Sequence, residues 1–110
     1  MLACCAVDHI QPSVIKIGGL TAMLQICELA KTSGVSVDPH SPYFGPGLLA
    51  TMHLCAARGE ISMVERYFCD LDESPLGSAI NPMGGKLFMP EGSGLGVDPD
   101  PDVLARCRIA

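Results

Sequence analysis

The sequence predicts an α/β protein with parallel strands, and three features predict it. Strand-like and helix-like segments alternate through residues 7–69, and the connections between them are short. The two longest periodic stretches repeat apolar residues at helical spacing. Such alternation implies right-handed crossovers between neighbouring parallel strands.

Val7–Ile17 is rich in Val and Ile and reads as the first strand. Pro12 cannot donate to a ladder, so it belongs near that strand's end or at a bulge. Gly18-Gly19 breaks the run. Leu20–Ser33 then carries Leu20, Met23, Leu24, Cys27 and Ala30 on one helical face, with Thr21 as the expected N-cap and Gly34 as the C′ residue. Val35–Pro39 is a second strand, followed by a loop over Ser41–Gly47. Pro46 suits a first helical turn, and Leu48–Arg58 places Leu48, Met52, Cys55 and Ala56 on one side before Gly59 ends it. Met63–Cys69 is the third strand. Beyond Asp70 glycine and proline become frequent. A hairpin is expected over Ile80–Met89 about Gly84-Gly85, and a final helix over Val103–Ile109 capped by Asp100 or Asp102.

A chain of 110 residues holds one ordinary domain. Its apolar share is 48% and its mean hydropathy +0.34, which excludes a disordered acidic tail. Seven basic against twelve acidic residues leave a net charge of −5, which argues against nucleic acid as a partner. No apolar run reaches the ~18–20 residues that span a bilayer, and no basic residue precedes the short apolar stretch at Met1–Ile10, so neither membrane nor secretory signal is expected. The six cysteines lie in apolar stretches without a C-x-x-C pair, and the single asparagine, Asn81, precedes Pro82 and forms no glycosylation sequon. Buried thiols in a reducing cytoplasm are the expectation.

Several motifs fail on their chemistry. Gly92-Ser-Gly94-Leu-Gly96 lacks the third glycine and the following helix of a dinucleotide loop, and Gly84-Gly85-Lys86 lacks the hydroxyl residue of a P-loop. Asp98, Asp100 and Asp102 begin like a calcium loop, but Val103 and Ile109 stand where its glycine and glutamate belong. Cys4, Cys5 and His9 would need a distant fourth ligand to hold zinc.

His40 is more informative. It stands where a parallel strand meets its loop, the end at which such sheets bind ligands. Its imidazole suits general acid/base work near neutral pH. Asp38, two residues earlier, shares that side of the strand and is placed to orient it; the alternative is a histidine bonded to loop backbone. Glu65 is either a functional strand-end carboxylate or the salt-bridge partner of Arg66 or Arg58. His53 reads as structural, and His9 carries no signal of its own.

Four ordered motifs carry a family resemblance: Gln11-Pro-Ser-Val-Ile-Lys-Ile-Gly-Gly-Leu-Thr21, Val37-Asp-Pro-His-Ser-Pro-Tyr-Phe-Gly-Pro-Gly47, Val64-Glu-Arg66, and Met89-Pro-Glu-Gly-Ser-Gly-Leu-Gly-Val-Asp98. Together they resemble the C-terminal barrel portion of the enolase superfamily, in its mandelate racemase/muconate lactonizing enzyme family. The resemblance implies the C-terminal part of a TIM-type (β/α) barrel. Val7–Lys16, Val35–Pro39 and Met63–Cys69 would be strands six, seven and eight, within residues 1–72. Residues 73–110 would return towards a capping domain absent from this sequence. A whole barrel takes about 250 residues, so the chain is expected to be a fragment.

The activity implied is abstraction of a proton α to a carboxylate, giving an enediolate held by magnesium (Mg2+), as in acid-sugar dehydratases, cycloisomerases and racemases. The resemblance makes His40 the strand-seven acid/base and Glu65 the strand-eight glutamate that donates to the substrate carboxylate. Ser13 falls where relatives place an aspartate that pairs with the histidine, or a lysine base, and serine can be neither. Either Asp38 takes over, or His40 works without a carboxylate partner. Lys16, three residues on, reads as a structural ion pair near the strand's exit. The family's metal ligands and second acid/base come from earlier strands, so this chain alone is expected to bind no magnesium and to be inactive. When complete, the enzyme is expected to be a homo-oligomer acting on a small acid-sugar-like carboxylate. Two other classes stay open: a non-catalytic association module, or a small complete domain binding an anion at the loops after Lys16 and Pro39.

Overall fold

A computed structural model describes residues 2–109 of the chain. Its elements are β1 (His9–Ile10), α1 (Leu20–Thr32), β2 (Ser36–Val37), β3 (His40–Ser41), α2 (Pro46–Ala57), β4 (Glu65–Arg66) and α3 (Pro101–Arg106), with 3-10 turns at Leu2–Cys4 and Gly77–Ile80. The mixed α/β order is as expected, and both strand pairings are parallel.

The strands are shorter than predicted because prolines interrupt the ladders. The strands form two two-stranded parallel sheets, and residues 36–41 run from one into the other. On one side β2 pairs with β1, His9 facing Ser36 and Ile10 facing Val37. On the other, β3 pairs with β4, His40 facing Glu65 and Ser41 facing Arg66. Pro39 has no N–H and divides β2 from β3. Pro12 ends β1, yet its carbonyl still accepts from His40 N at 3.0 Å. The order β1, β2–β3, β4 leaves the outer edges of β1 and β4 without a strand partner among the described residues.

Gly19, not Thr21, caps α1. Gly18 and Gly19 hold φ of +101° and +100°, a region a side chain rarely enters, so the chain turns here only with glycine. The exit closes as read: Val35 N bonds Ala30 O at 2.9 Å and Gly34 N bonds Lys31 O at 3.2 Å, the Schellman pattern about Gly34. Met23, Cys27 and Ala30 are buried as expected, whereas Leu20 and Leu24 remain exposed.

The expected single apolar stripe on α2 is replaced by burial nearly all round. Leu48, Leu49, Thr51, Met52 and Leu54 are buried, Cys55 is only partly so, and Ala56 is exposed. The reason is that α2 lies between two small cores. Leu54 joins Val14, Met23, Cys27 and Ile61, while Leu48, Leu49 and Met52 join Leu76 and Ile80 of the return segment. A helix apolar on all sides belongs in the interior.

The return segment holds by polar anchors. Asp100 Oδ1 accepts from Asp102 N at 2.8 Å and Val103 N at 3.3 Å, capping α3, which starts at Pro101 and ends at Arg106 rather than running to Ile109. Arg106 pairs with Glu73. The expected hairpin shrinks to one bridge, Met83 to Lys86, turning on Gly84 and Gly85 at positive φ.

The radius of gyration, 15.3 Å, exceeds the ~13 Å of a compact chain this long. A groove of about 810 Å³ opens beside Met63, Tyr67, Phe68, Leu87 and Met89. Phe68 is 90% exposed. Among the described residues no helix is long and apolar enough to cross a membrane.

The thiols divide differently from the expectation: Cys27 is buried and Cys55 partly so, while Cys4, Cys5, Cys69 and Cys107 are exposed. Burial pushes both Cys27 and Cys55 up, Cys55 to about 11. Below about pH 9 both folded and unfolded chains hold the Cys55 proton. Between about 9 and 11 only the folded chain does, so stability falls as pH rises. Cys55→Ala is expected to remove roughly 1–2 kcal/mol of the alkaline loss, after discounting for solvent screening. Urea midpoints at pH 8 and pH 10.5 check this; an equal drop in both proteins refutes it.

Candidate functional site

The loop after β3 is short and directed by its prolines. The residue before a proline is held extended, which keeps Asp38 and Ser41 out of helical conformation. Pro46 then starts α2 at its first position. His40 is therefore carried to the carboxyl end of the central strand, beside the start of β4.

There His40 and Glu65 are register partners on adjacent parallel strands, so both side chains leave the sheet on the same face. His40 Nδ1 and Glu65 Oε2 are hydrogen bonded. With Glu65 as a carboxylate and His40 neutral, Nδ1 carries the hydrogen of this bond and Nε2 keeps its lone pair. The side chains are 31% and 41% exposed, open enough to meet a solute. Glu65 is thus not the partner of either arginine. Arg58 pairs with Glu28 and Glu60, and Arg66 with Asp70.

Asp38 does not orient His40. Its Oδ2 lies 2.8 Å from His9 Nδ1, and the two residues sit diagonally across the β1–β2 pair. His9 acquires a partner that no local pattern announced.

Ser13 is buried, and its hydroxyl lies 3.0 Å from Tyr43 Oη. Tyr43 Oη donates to the His40 carbonyl at 3.3 Å. Beneath it Ser41 donates to Thr51 at 3.4 Å, and Thr51 donates to Gly47 O at 2.8 Å. Burial raises the Tyr43 phenol, but hydrogen bonds with Ser13, Ser41 and Thr51 and the Ile15 backbone outweigh it, leaving the phenol below its ordinary value. Gly47 makes room for the ring: a Cβ there would stand 2.5 Å from Ile15 Cγ2 and 3.0 Å from Tyr43 Cε2.

Lys16 corrects another expectation. It is exposed and makes no ion pair among the described residues. Arg66 instead ties β4 to the return segment. It donates to the carbonyls of Ile80, Tyr67 and Cys69, and lies over the Phe44 ring at 5.5 Å. His53 sits half-buried in α2 with Nε2 unpartnered among the described residues.

The structure therefore brings His40 and Glu65 together. It sends Asp38 to His9, places Ser13 in a hydroxyl cluster and leaves Lys16 in solvent. Tyr43 was missed as a site residue; the signal was a bulky polar side chain three residues past His40, followed by Gly47, which leaves its ring space.

The family described as enolase C-terminal domain-like matches residues 1–103. Muconate cycloisomerase 1 of Rhodococcus opacus is 31% identical over 102 residues, covering 90% of this chain and 27% of the relative. Arabinonate dehydratase of Saccharolobus solfataricus is 31% identical over 93 residues, covering 83% of this chain and 25% of the relative. L-rhamnonate dehydratase of Saccharopolyspora erythraea is 32% identical over 107 residues, covering 90% and 26%. The crystal structure of a protein assigned as a racemase from Roseobacter denitrificans matches with a TM-score of 0.82 and 26% identity, over 96% of this chain and 31% of that one. The chain spans about a quarter of the length of the curated relatives it matches.

Proposed function

This chain belongs to the enolase C-terminal domain-like family, and from that premise we propose that it supplies the last strands of a TIM-type barrel and a proton-transfer pair acting α to a carboxylate. In this reading β1 is strand six, β2 and β3 together are strand seven, and β4 is strand eight. The observation that carries it is the bond between His40 Nδ1 and Glu65 at the ends of adjacent parallel strands. The substrate class is a small acid-sugar-like carboxylate, and the outcome is dehydration, cycloisomerisation or racemisation.

The chemistry asks for two things. An α-proton of a carboxylate is very weakly acidic, so a base must stand within hydrogen-bond reach of it. His40 Nε2 is that base: the bond to Glu65 selects the tautomer that leaves Nε2 its lone pair. In dehydration the protonated Nε2 gives that proton to the β-hydroxyl as its C–O bond breaks and water leaves; in racemisation a second acid on the other face would reprotonate the carbon. This differs from the expectation that Glu65 donates to the substrate carboxylate; here its near oxygen is already engaged by His40.

The second need is stabilisation of the developing enediolate charge. Among the described residues no three His, Cys, Asp or Glu side chains gather to hold a cation. Glu65 is taken by His40 and Asp38 by His9. The side chains present do not fit a magnesium site, and we place the charge-stabilising groups in the remaining length of the relatives.

The test uses the native polypeptide that carries this sequence, captured from its source cells through an antibody to the Asp98–Ala110 tail. Acid-sugar carboxylates are incubated with it in D2O with magnesium, and α-deuteration is read by NMR. Exchange on at least one substrate of the panel is expected. Absence of exchange across the panel, from a folded protein, overturns the reading.

A further inference from the structure

Ser13 poses the question. Relatives with a charged group at its position would bring that charge to the strand end, but here the side chain is a hydroxyl, and it is buried. Its surroundings show which side of the sheet it serves. Successive residues of a strand point to opposite faces, so the ring of His40 and the hydroxyl of Ser41 diverge. Ser41 is fully buried against Thr51 of α2, whereas His40 is partly open and bonded to Glu65. Tyr43 Oη meets Ser13 Oγ and lies within reach of the Ser41 and Thr51 hydroxyls. The hydroxyl cluster is therefore on the helix side of the sheet, beneath the His40 ring.

We infer that Tyr43 is a positioning residue: its phenol ties the chain after β1, through Ser13, to the His40 carbonyl, and so holds the His40 ring in register with Glu65. The inference rests on the proposed role of His40 and adds a role for Ser13. Ser13 belongs to the tie from below and takes no part in proton transfer. Pro12 and Pro39 each remove an N–H donor from the two tied segments, whose remaining backbone bonds are His40 N to Pro12 O at 3.0 Å and Glu65 N to Pro39 O at 2.9 Å, and the phenol adds a side-chain cross-link beside them. One donor serves it: the phenol gives its hydrogen to the His40 carbonyl and accepts from Ser13. Gly47 belongs to the same device, since a Cβ there would press on the Tyr43 ring.

The experiment compares the full chain with Tyr43→Phe, Ser13→Ala and the double variant. The first readout is the ratio of the two neutral tautomers of His40, from nitrogen-15 NMR of the ring. The parent is expected to hold hydrogen on Nδ1. Tyr43→Phe is expected to lower the Nδ1–H to Nε2–H ratio about fivefold, the worth of one neutral hydrogen bond. Ser13→Ala should move it the same way, and the double variant no further than Tyr43→Phe, because both act through one tie. The second readout is the phenol titration by ultraviolet absorbance, clean here because the chain has two tyrosines and no tryptophan. Ser13→Ala should raise the Tyr43 midpoint and leave Tyr67 alone.

An unchanged His40 tautomer ratio in folded Tyr43→Phe overturns the inference. If that variant does not fold, Ser13→Ala decides: unchanged tautomer and unchanged phenol midpoint overturn it equally. These readouts need no substrate. A null result in the D2O exchange assay therefore defeats the proposed function without touching the tie, and an unmoved tautomer ratio defeats the tie alone.

Discussion

Replacing His40 with alanine is expected to slow α-proton exchange by the native polypeptide roughly 10²–10⁴-fold, the usual contribution of a positioned general acid/base. The loss follows from geometry: among the described imidazoles only that of His40 is bonded to its register partner on the next parallel strand, Glu65. His9 shares Asp38 on the opposite strand pair, and His53 lies within α2. Glu65→Gln should cost less, about tenfold, because an amide keeps an acceptor oxygen for Nδ1 but makes a weaker, uncharged hydrogen bond. Asp38→Asn should leave exchange near the parent rate, since its bond is to His9. Rates in D2O for the three variants, each checked for folding by circular dichroism, test the set. Parent-like exchange in His40→Ala would remove it from the chemistry.

The second large effect is on stability. Leu49→Ala is expected to destabilise the chain by about 2–5 kcal/mol. Leu49 is 1% exposed and packs in the cluster that joins α2 to Leu76 and Ile80 of the return segment. Two small cores meeting on one helix leave little reserve, and a typical domain has only ~5–15 kcal/mol in all. Exposed Leu104→Ala, on α3, should change stability by no more than about 0.5 kcal/mol. Urea unfolding followed by circular dichroism measures both. A cost below about 1 kcal/mol for Leu49→Ala would mean that α2 does not carry the packing assigned to it.

The family and the mixed α/β class were legible before any coordinates. The four ordered motifs pointed to the mandelate racemase/muconate lactonizing group, and the family match over residues 1–103 bears out that relationship. Local signals also held where local chemistry decides. Pro46 opens α2, Gly34 closes α1, Asp100 caps α3 and Gly84-Gly85 makes a turn. In each case the deciding interaction spans only a few residues, so the residue type itself carries the information.

Other features failed for a common reason. Thr21 was the better cap by side chain, but a backbone turn at Gly18-Gly19 set the helix start two residues earlier. Met63–Cys69 read as a long strand, yet pairing reaches only Glu65–Arg66. The extent of a strand depends on what its neighbour offers, and the neighbour is broken by Pro39. The stripe on α2 was misread because two cores, one built by α1 and one by the return segment, bury it from both sides.

The candidate site divides the same way. His40 and Glu65 were legible as strand-end residues, one by its loop and both by family resemblance. Their bond was not, because it depends on the register of β3 against β4. Asp38 was paired with the wrong histidine: adjacency along the chain suggested His40, whereas the β1–β2 register placed His9 diagonally opposite. Ser13, Tyr43, Ser41 and Thr51 come from four separate segments, and no spacing predicts that their hydroxyls meet. By itself the sequence determined the order of elements, most of their end signals and the identity of the strand-end groups, since these are encoded within one turn or one strand. Only the tertiary structure decided which carboxylate meets which imidazole, because that is set by register between strands 25 or more residues apart.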